Sequence, residues 1–361
     1  MNKRQKEILQ LRLDNEEEVL KELKRVYEDA LRRIDKRIAI LLGRDDADLQ
    51  HVIYQVEYQK ALKKQINAIL DDLNSNQFVT ISEYLAKSYE DGYIGTLYDI
   101  QGQGIPIITP IDQELVVRAV NIDSKLSKKL YEKLGEDVGK LKKKVSSTIS
   151  RGIAQNLSYA DIARGIAKGT NVSMNNAMRI ARTEAGRIST TATADAQRKA
   201  KEQGADIVKQ WDATLDGKTR PHHRELDGQV RELDEDFVIP STGTRASRPF
   251  AFGIAKEDVN CRCCLLQIAR FELESEDGFT KMDNFAKELR TFKSPKKYAN
   301  FKKAYFSDEN VRYMKYVNTL QDRYNTKNFK SILAKMTDRE YQHYSKLLAE
   351  SPIFNAKNDA E

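Results

Sequence analysis

Thiols are scarce: Cys261, Cys263 and Cys264 are the whole complement. Three sulfurs within four positions cannot staple distant parts of a chain, which excludes a disulfide framework and predicts a reducing compartment. Glycine (17) and proline (7) are also sparse across 361 residues, too few for a turn-dense β protein and in keeping with helices. Nowhere do eighteen apolar residues run together, which excludes an ordinary membrane helix and predicts no membrane partner. Met1 to Leu20 interleaves charge with leucine and has no apolar leader core, so the chain is expected to be soluble and intracellular. The phosphate-binding G-x-x-x-x-G-K-[ST] loop and the G-x-S-x-G elbow are missing. Only four histidines occur, so histidine chemistry has few places to be.

What is present is mostly helical periodicity. Leu9 to Leu42 carries Leu20, Leu23, Val26, Tyr27, Ala30, Leu31, Ile34, Ile38 and Leu41 at intervals of three and four, and Asp46 to Leu73 repeats the pattern. Together they read as a helical hairpin. Shorter helices are predicted near Thr80 to Asp91 and Asp112 to Asn121, with the glycine- and proline-bearing stretch Gly92 to Pro110 as a loop between them. Further helices are predicted over Leu126 to Asn156, Ser158 to Lys168 and Ser173 to Gln203. The character then changes. Asp206 to Ala213 alternates like a strand, Arg231 to Ile239 and Phe250 to Ile254 give short β or loop pieces, and Cys261 to Ile268 reads as a returning strand. From Lys281 to Glu350 there are 16 Lys plus Arg against 8 Asp plus Glu, with 12 of the 29 aromatic residues. Basic residues mixed with rings suit a nucleic-acid surface, and Lys293, Lys296, Lys297, Lys302 and Lys303 are the candidate phosphate contacts. The ring spacing (Phe301, Tyr305, Phe306; Tyr313, Tyr316, Leu320) suits a helical core equally.

Three blocks in fixed order carry more specific information: Ala181-Arg182-Thr183-Glu184-Ala185 on a helix; Trp211-Asp212-Ala213-Thr214 followed by Asp216 to Gly228 (DGKTRPHHRELDG); and Asn260-Cys261-Arg262-Cys263. Over about Ser146 to Gln267 they resemble the Mu F-like minor head (head morphogenesis) protein domain of tailed phages. The motif residues that match are Arg182, Thr183, Glu184, Asp212, Thr219, His223, Asp227, Gly228, Asn260 and Arg262, while His222 and Cys264 are additional to the family pattern.

The resulting expectation is a predominantly α, α+β chain. It has an N-terminal helical region (1–110), a small Mu F-like domain with few short strands (111–270, motif core 146–267) and a helical C-terminal extension (271–361). The resemblance implies a phage minor capsid protein acting in head morphogenesis. Its implied partners are the portal protein and a scaffold or major capsid protein, with double-stranded DNA as a further partner during packaging or ejection. Its implied place is inside the virion near the portal, and the host cytoplasm during assembly. No enzymatic activity is expected. The alternative reading is a metal-assisted nuclease or toxin-like effector carrying a Mu F-like domain, centred on His222, His223, Asp227 and the thiols.

Chemically, His223 with Cys261 and Cys263 is the constellation that can hold a structural zinc ion, a fourth ligand coming from His222, Cys264, Asp212 or water. In an extended C-x-C both thiols share a face, leaving Arg262 on the other side to pair with Glu184; Arg220 is the second candidate anchor for that carboxylate. Small buried hydrophobes are the competing assignment for the thiols.

Overall fold

The computed structural model describes residues 1–42, 56–121, 130–155, 159–273 and 296–355. Helices dominate, in the order α1 (Lys3–Leu42), α2 (Val56–Gly102), α3 (Gln113–Asn121), α4 (Leu130–Ala154) and α5 (Tyr159–Glu202). The β unit follows: β1 (Ile207–Asp212), α6 (Pro221–Leu226), β2 (Val230–Arg231), β3 (Phe237–Val238), β4 (Arg245–Ala246), α7 (Ala255–Asp258), β5 (Cys264–Ala269) and α8 (Arg270–Leu273). The chain closes with α9 (Lys296–Tyr305), α10 (Asp308–Tyr324), α11 (Phe329–Leu333), α12 (Asp338–Glu350) and α13 (Pro352–Asn355). This is the predominantly α, α+β class expected. No helix among the described residues is long and apolar enough to cross a membrane.

Two helices are longer than their sequences suggest. The loop expected from Gly92 is helix to Gly102. Gly92 is there because a Cβ at that position would meet the Ser189 carbonyl oxygen at 2.7 Å, so the helix backbones touch where a side chain cannot fit. Likewise α5 runs unbroken through Gly169-Thr170-Asn171, with the Thr170 hydroxyl donating to the Ile166 carbonyl one turn back at 3.0 Å.

The described chain forms two compact units. One comprises residues 15–85 and 121–184. Its α1 stripe of Leu23, Tyr27, Ala30, Ile34 and Ile38 is buried, and Arg33 reaches Asp72 at 2.7 Å. Tyr27 donates to Gln77 Oε1 (2.7 Å) and lies 3.2 Å from Ser173 Oγ, which donates to Asp137 (2.9 Å). That string of polar groups ties four helices together through a buried phenol whose pKa is raised by its desolvation.

The other unit comprises residues 1–14, 86–120 and 185–361. Its sheet runs β2-β1-β5, all antiparallel, with Asp212 opposite Cys264 and Ile207 opposite Ala269. A separate β3-β4 ribbon pairs Phe237 with Ala246. Lys209 is 3% exposed and donates to the carbonyls of Leu233 (3.1 Å) and Ser247 (2.9 Å), fastening the ribbon's flanks to β1. Where the N-terminus, α2 and β5 meet, the fully buried carboxylate of Asp99 accepts from Asn2 (2.6 Å), Gln5 (2.9 Å), Gln103 (2.8 Å) and Gln267. Burial nevertheless raises its pKa.

Among the described C-terminal rings, Tyr298, Tyr305, Tyr313 and Tyr344 are buried and five more are partly buried. Tyr298 and Tyr305 are each 1% exposed; Tyr298 reaches Asp91, and Tyr305 donates to the Thr109 carbonyl at 2.7 Å. Phe306 and Tyr341 are the exposed exceptions, at 50% and 55%. Side-chain caps set the helix starts: Ser307 accepts from Asn310 N, and Thr337 with Glu340 makes a reciprocal capping box.

Candidate metal centre

Helix α6 starts at Pro221, whose fixed φ suits a first helical position. Successive residues on a helix point about 100° apart, so the adjacent histidines diverge: His223 is 2% exposed and His222 is 26% exposed. Across from them, Asn260 adopts a left-handed φ of 55°, a conformation asparagine tolerates better than most residues. The chain turns there, and Cys261 and Cys263 come in just ahead of β5.

Three groups converge. His223 Nδ1 lies 3.2 Å from Cys263 Sγ and 3.6 Å from Cys261 Sγ, and the Cys263 amide donates to Cys261 Sγ at 3.4 Å. All three side chains are buried, with their ligand atoms within 4.8 Å of one another. On the far side of the imidazole, Nε2 is 3.2 Å from Glu257 Oε2, and Glu257 Oε1 shares a 3.0 Å hydrogen bond with His222 Nδ1. One buried carboxylate therefore faces both histidines. Trp211 stands edge-on to the His223 ring at 6.0 Å, Phe252 stacks at 6.0 Å, and Phe237, Phe250, Ile239 and Leu226 complete the apolar shell. Desolvation opposes ionising Cys261, but hydrogen bonds with Cys263 and His223 bring its pKa well below the ordinary thiol value; Cys263, buried beside it, is driven up.

Other candidate ligands go elsewhere. Cys264 lies in β5, where strand alternation puts it on the face opposite Cys263. It packs with Leu9 and Met1, 3.8 Å from Arg12, and burial pushes its pKa up to about 12. His222 is held by Glu257. Asp212 has its pKa raised to about 7 by burial, with the Asp227 charge adding to it, and it lies outside the three-residue cluster. The nuclease grouping also separates: Asp227 accepts from the Ala213 amide at 2.9 Å, and His223 has no exposed surface to speak of.

The remaining motif residues have local structural duties. Arg182 pairs with Glu16 at 2.8 Å, the Thr183 hydroxyl donates to the Arg179 carbonyl at 2.9 Å, and Glu184 is buried. The arginines expected to anchor Glu184 are engaged inside the β unit. Arg262 grips both oxygens of Asp216 (2.5 and 2.6 Å), and Arg220 donates to the Val259 carbonyl at 2.5 Å. The guanidinium holds the Asp216 carboxyl well below the usual carboxylate range. Thr219 bonds to Thr214 O and to Asp216, and Gly228, at φ 78°, donates to the Trp211 carbonyl at 2.8 Å. Glu257 had no motif to announce it; its one sequence signal is an acidic pair, Glu257-Asp258, just before Asn260.

The candidate DNA contacts do not form one free basic face. Lys302 is paired with Asp91 (2.6 Å) and Glu90 (3.4 Å), so its charge is neutralised within the fold. Lys297 and Lys303 are exposed. Lys296 opens α9, and Lys293 lies outside the described residues.

Residues 143–266 match the family model of Phage Mu protein F like proteins. Two curated relatives align over most of the chain. The NAD(+)–arginine ADP-ribosyltransferase EFV of Enterococcus faecalis is 38% identical over 303 residues, 81% of this chain and 59% of the relative. The minor head protein GP7 of Bacillus phage SPP1 is 27% identical over 293 residues, 74% of this chain and 93% of the relative. This chain thus spans about three fifths of the first relative and nearly all of the second. No solved structure matches. The expectation that no enzyme is involved is overturned by the first relative, which is named as an enzyme and shares four fifths of this chain. The three motif blocks, the strand-and-loop unit they build and the matched span coincide: residues 143–266 are a Phage Mu protein F like domain.

Proposed function

We propose that this chain is a phage minor head protein that acts in head morphogenesis, docked on the portal and close to packaged double-stranded DNA. The observation that carries this reading is coverage: the alignment takes in 93% of the SPP1 minor head protein, so little of that relative lies outside what the two chains share. The exposed lysines of α9, Lys297 and Lys303, suit a surface near nucleic acid. Portal and scaffold or major capsid proteins are the partners on this reading, and the virion interior is the location.

The test is co-expression with the portal protein encoded in the same phage genome. A complex that survives size exclusion is expected, and none at either low or moderate salt overturns portal docking. If DNA is contacted through about six phosphates, log K falls with log salt at a slope near about −5.

A second reading is carried by the identity of 38% to the ADP-ribosyltransferase: the chain belongs to an effector that modifies arginine using NAD(+). Incubation with labelled NAD(+) and an arginine-containing acceptor decides it. Label transfer above a boiled control supports it, and no transfer by folded protein refutes it.

A further inference from the structure

We propose that Cys261, Cys263 and His223 hold a structural Zn²⁺ ion, with Glu257 as the carboxylate that orients the histidine. The donor set is one imidazole nitrogen and two sulfurs, the combination that selects zinc among common divalent ions. Its three ligand atoms already lie within 4.8 Å of one another, so binding calls for small side-chain adjustments.

The arrangement is poorly satisfied as protein alone. Two thiols crowd the single lone pair of His223 Nδ1, at 3.2 and 3.6 Å, and only one S–H can donate along it. On the ring's other side, His223 Nε2 and Glu257 Oε2 are both fully buried and neither completes a hydrogen bond, although they stand 3.2 Å apart. Orphaned buried polar atoms of this kind carry the cost of their desolvation without a bond to offset it. A cation at Nδ1 resolves both problems. It takes both sulfurs as thiolates, any thiol proton still present passing to solvent, and their charges cancel that of Zn²⁺. It also fixes the remaining ring proton on Nε2, facing Glu257, the carboxylate–histidine–metal relay found around zinc ligands.

The same atoms in the same order, thiol, imidazole and carboxylate, would serve a cysteine nucleophile. Burial decides against that. Cys261 and Cys263 are 6% and 2% exposed, under Trp211, Phe252 and Phe237, and a nucleophile must be reached by its substrate. No fourth His, Cys, Asp or Glu joins the cluster among the described residues, so one buried water completes the tetrahedron.

The inference is independent of the portal reading, because its readout is metal content. Full-length protein purified without a histidine tag is analysed for metals. About one equivalent of zinc is expected, and less than about one-tenth equivalent overturns the site. Cys261→Ser and Cys263→Ser lower the content at least about tenfold, while Cys264→Ser, on the opposite strand face, keeps it; loss in Cys264→Ser refutes the ligand assignment. Because the serine variants can lose zinc by unfolding, wild-type protein is also exchanged with Co²⁺. A thiolate-to-cobalt charge-transfer band with tetrahedral d–d bands supports the site, and bound cobalt without that band overturns it.

Discussion

Gln103→Leu probes the buried Asp99 network at a side chain that both serves the carboxylate and bonds to β5. Gln103 Nε2 donates to Asp99 Oδ2 (2.8 Å) and to the Gln267 carbonyl (3.1 Å), and its Oε1 accepts from the Ala269 amide (2.6 Å). Leucine is close in size and deletes all three. A bond to a charged group contributes about 1.5–3 kcal/mol and a neutral one about 1, and the added apolar burial returns about 1–2. The net loss with Asp99 ionised is therefore about 2–4 kcal/mol.

The loss depends on pH with a definite sign. Burial raises the folded-state pKa of Asp99 above its unfolded value, so the folded chain holds this proton more tightly. That contribution is fully present below the unfolded value, near about 4, and is lost as pH rises through the folded value. Removing a donor from the carboxylate raises the folded value further. The deficit of Gln103→Leu is thus larger where Asp99 is ionised and shrinks as the carboxyl takes up its proton towards pH 4. Urea titrations followed by the fluorescence of Trp211, the only tryptophan and fully buried in the same unit, measure it across that range. A deficit below about 1 kcal/mol, or one that grows on acidification, refutes the reasoning.

Two further outcomes rest on packing and capping. A Cβ on Gly186 would fall 2.6 Å from Phe250 Cε1, against a ring only 4% exposed. Gly186→Ala gains about 1 kcal/mol of helix propensity and loses about 1–3 to overpacking; a net loss is expected that Phe250→Leu partly relieves, and equal losses in both backgrounds would show that the contact is not responsible. Thr337→Ala removes half of the capping box on α12 and should cost about 1 kcal/mol in a denaturation experiment, with Thr337→Ser close to wild type.

Amphipathic helices and the two longer strands were legible because apolar spacing survives in any tertiary setting: α1 and β1 fall where periodicity put them. Continuity of α2 through Gly92 was not. Glycine reads locally as a breaker, and only the Ser189 backbone across from it explains why a small residue stands inside a helix. At the site, C-x-C and the family histidine pointed to three residues that do converge, yet not for the expected reason, since Cys261 and Cys263 precede the strand and are aimed by the left-handed turn at Asn260. Partner choice for charged groups was the least legible. Arg262 found Asp216, 46 positions away, and Lys302 found Asp91, 211 positions away; no local rule encodes such separations. The same holds for Glu257, which sits on a four-residue helix without periodicity.

His223 and Cys261 meet although 38 positions separate them, so the stretch between is a loop pinned shut at its base. Phe237, Ile239, Ala246 and Phe250 plug it into the core, but Ser241, Thr242 and Gly243 at the ribbon's tip face solvent. Doubling the length of a flexible loop costs only about 0.6 kcal/mol. That tip can therefore carry an inserted epitope or a compact fluorescent domain without disturbing the pinned base, which makes it the place to mark this chain for imaging.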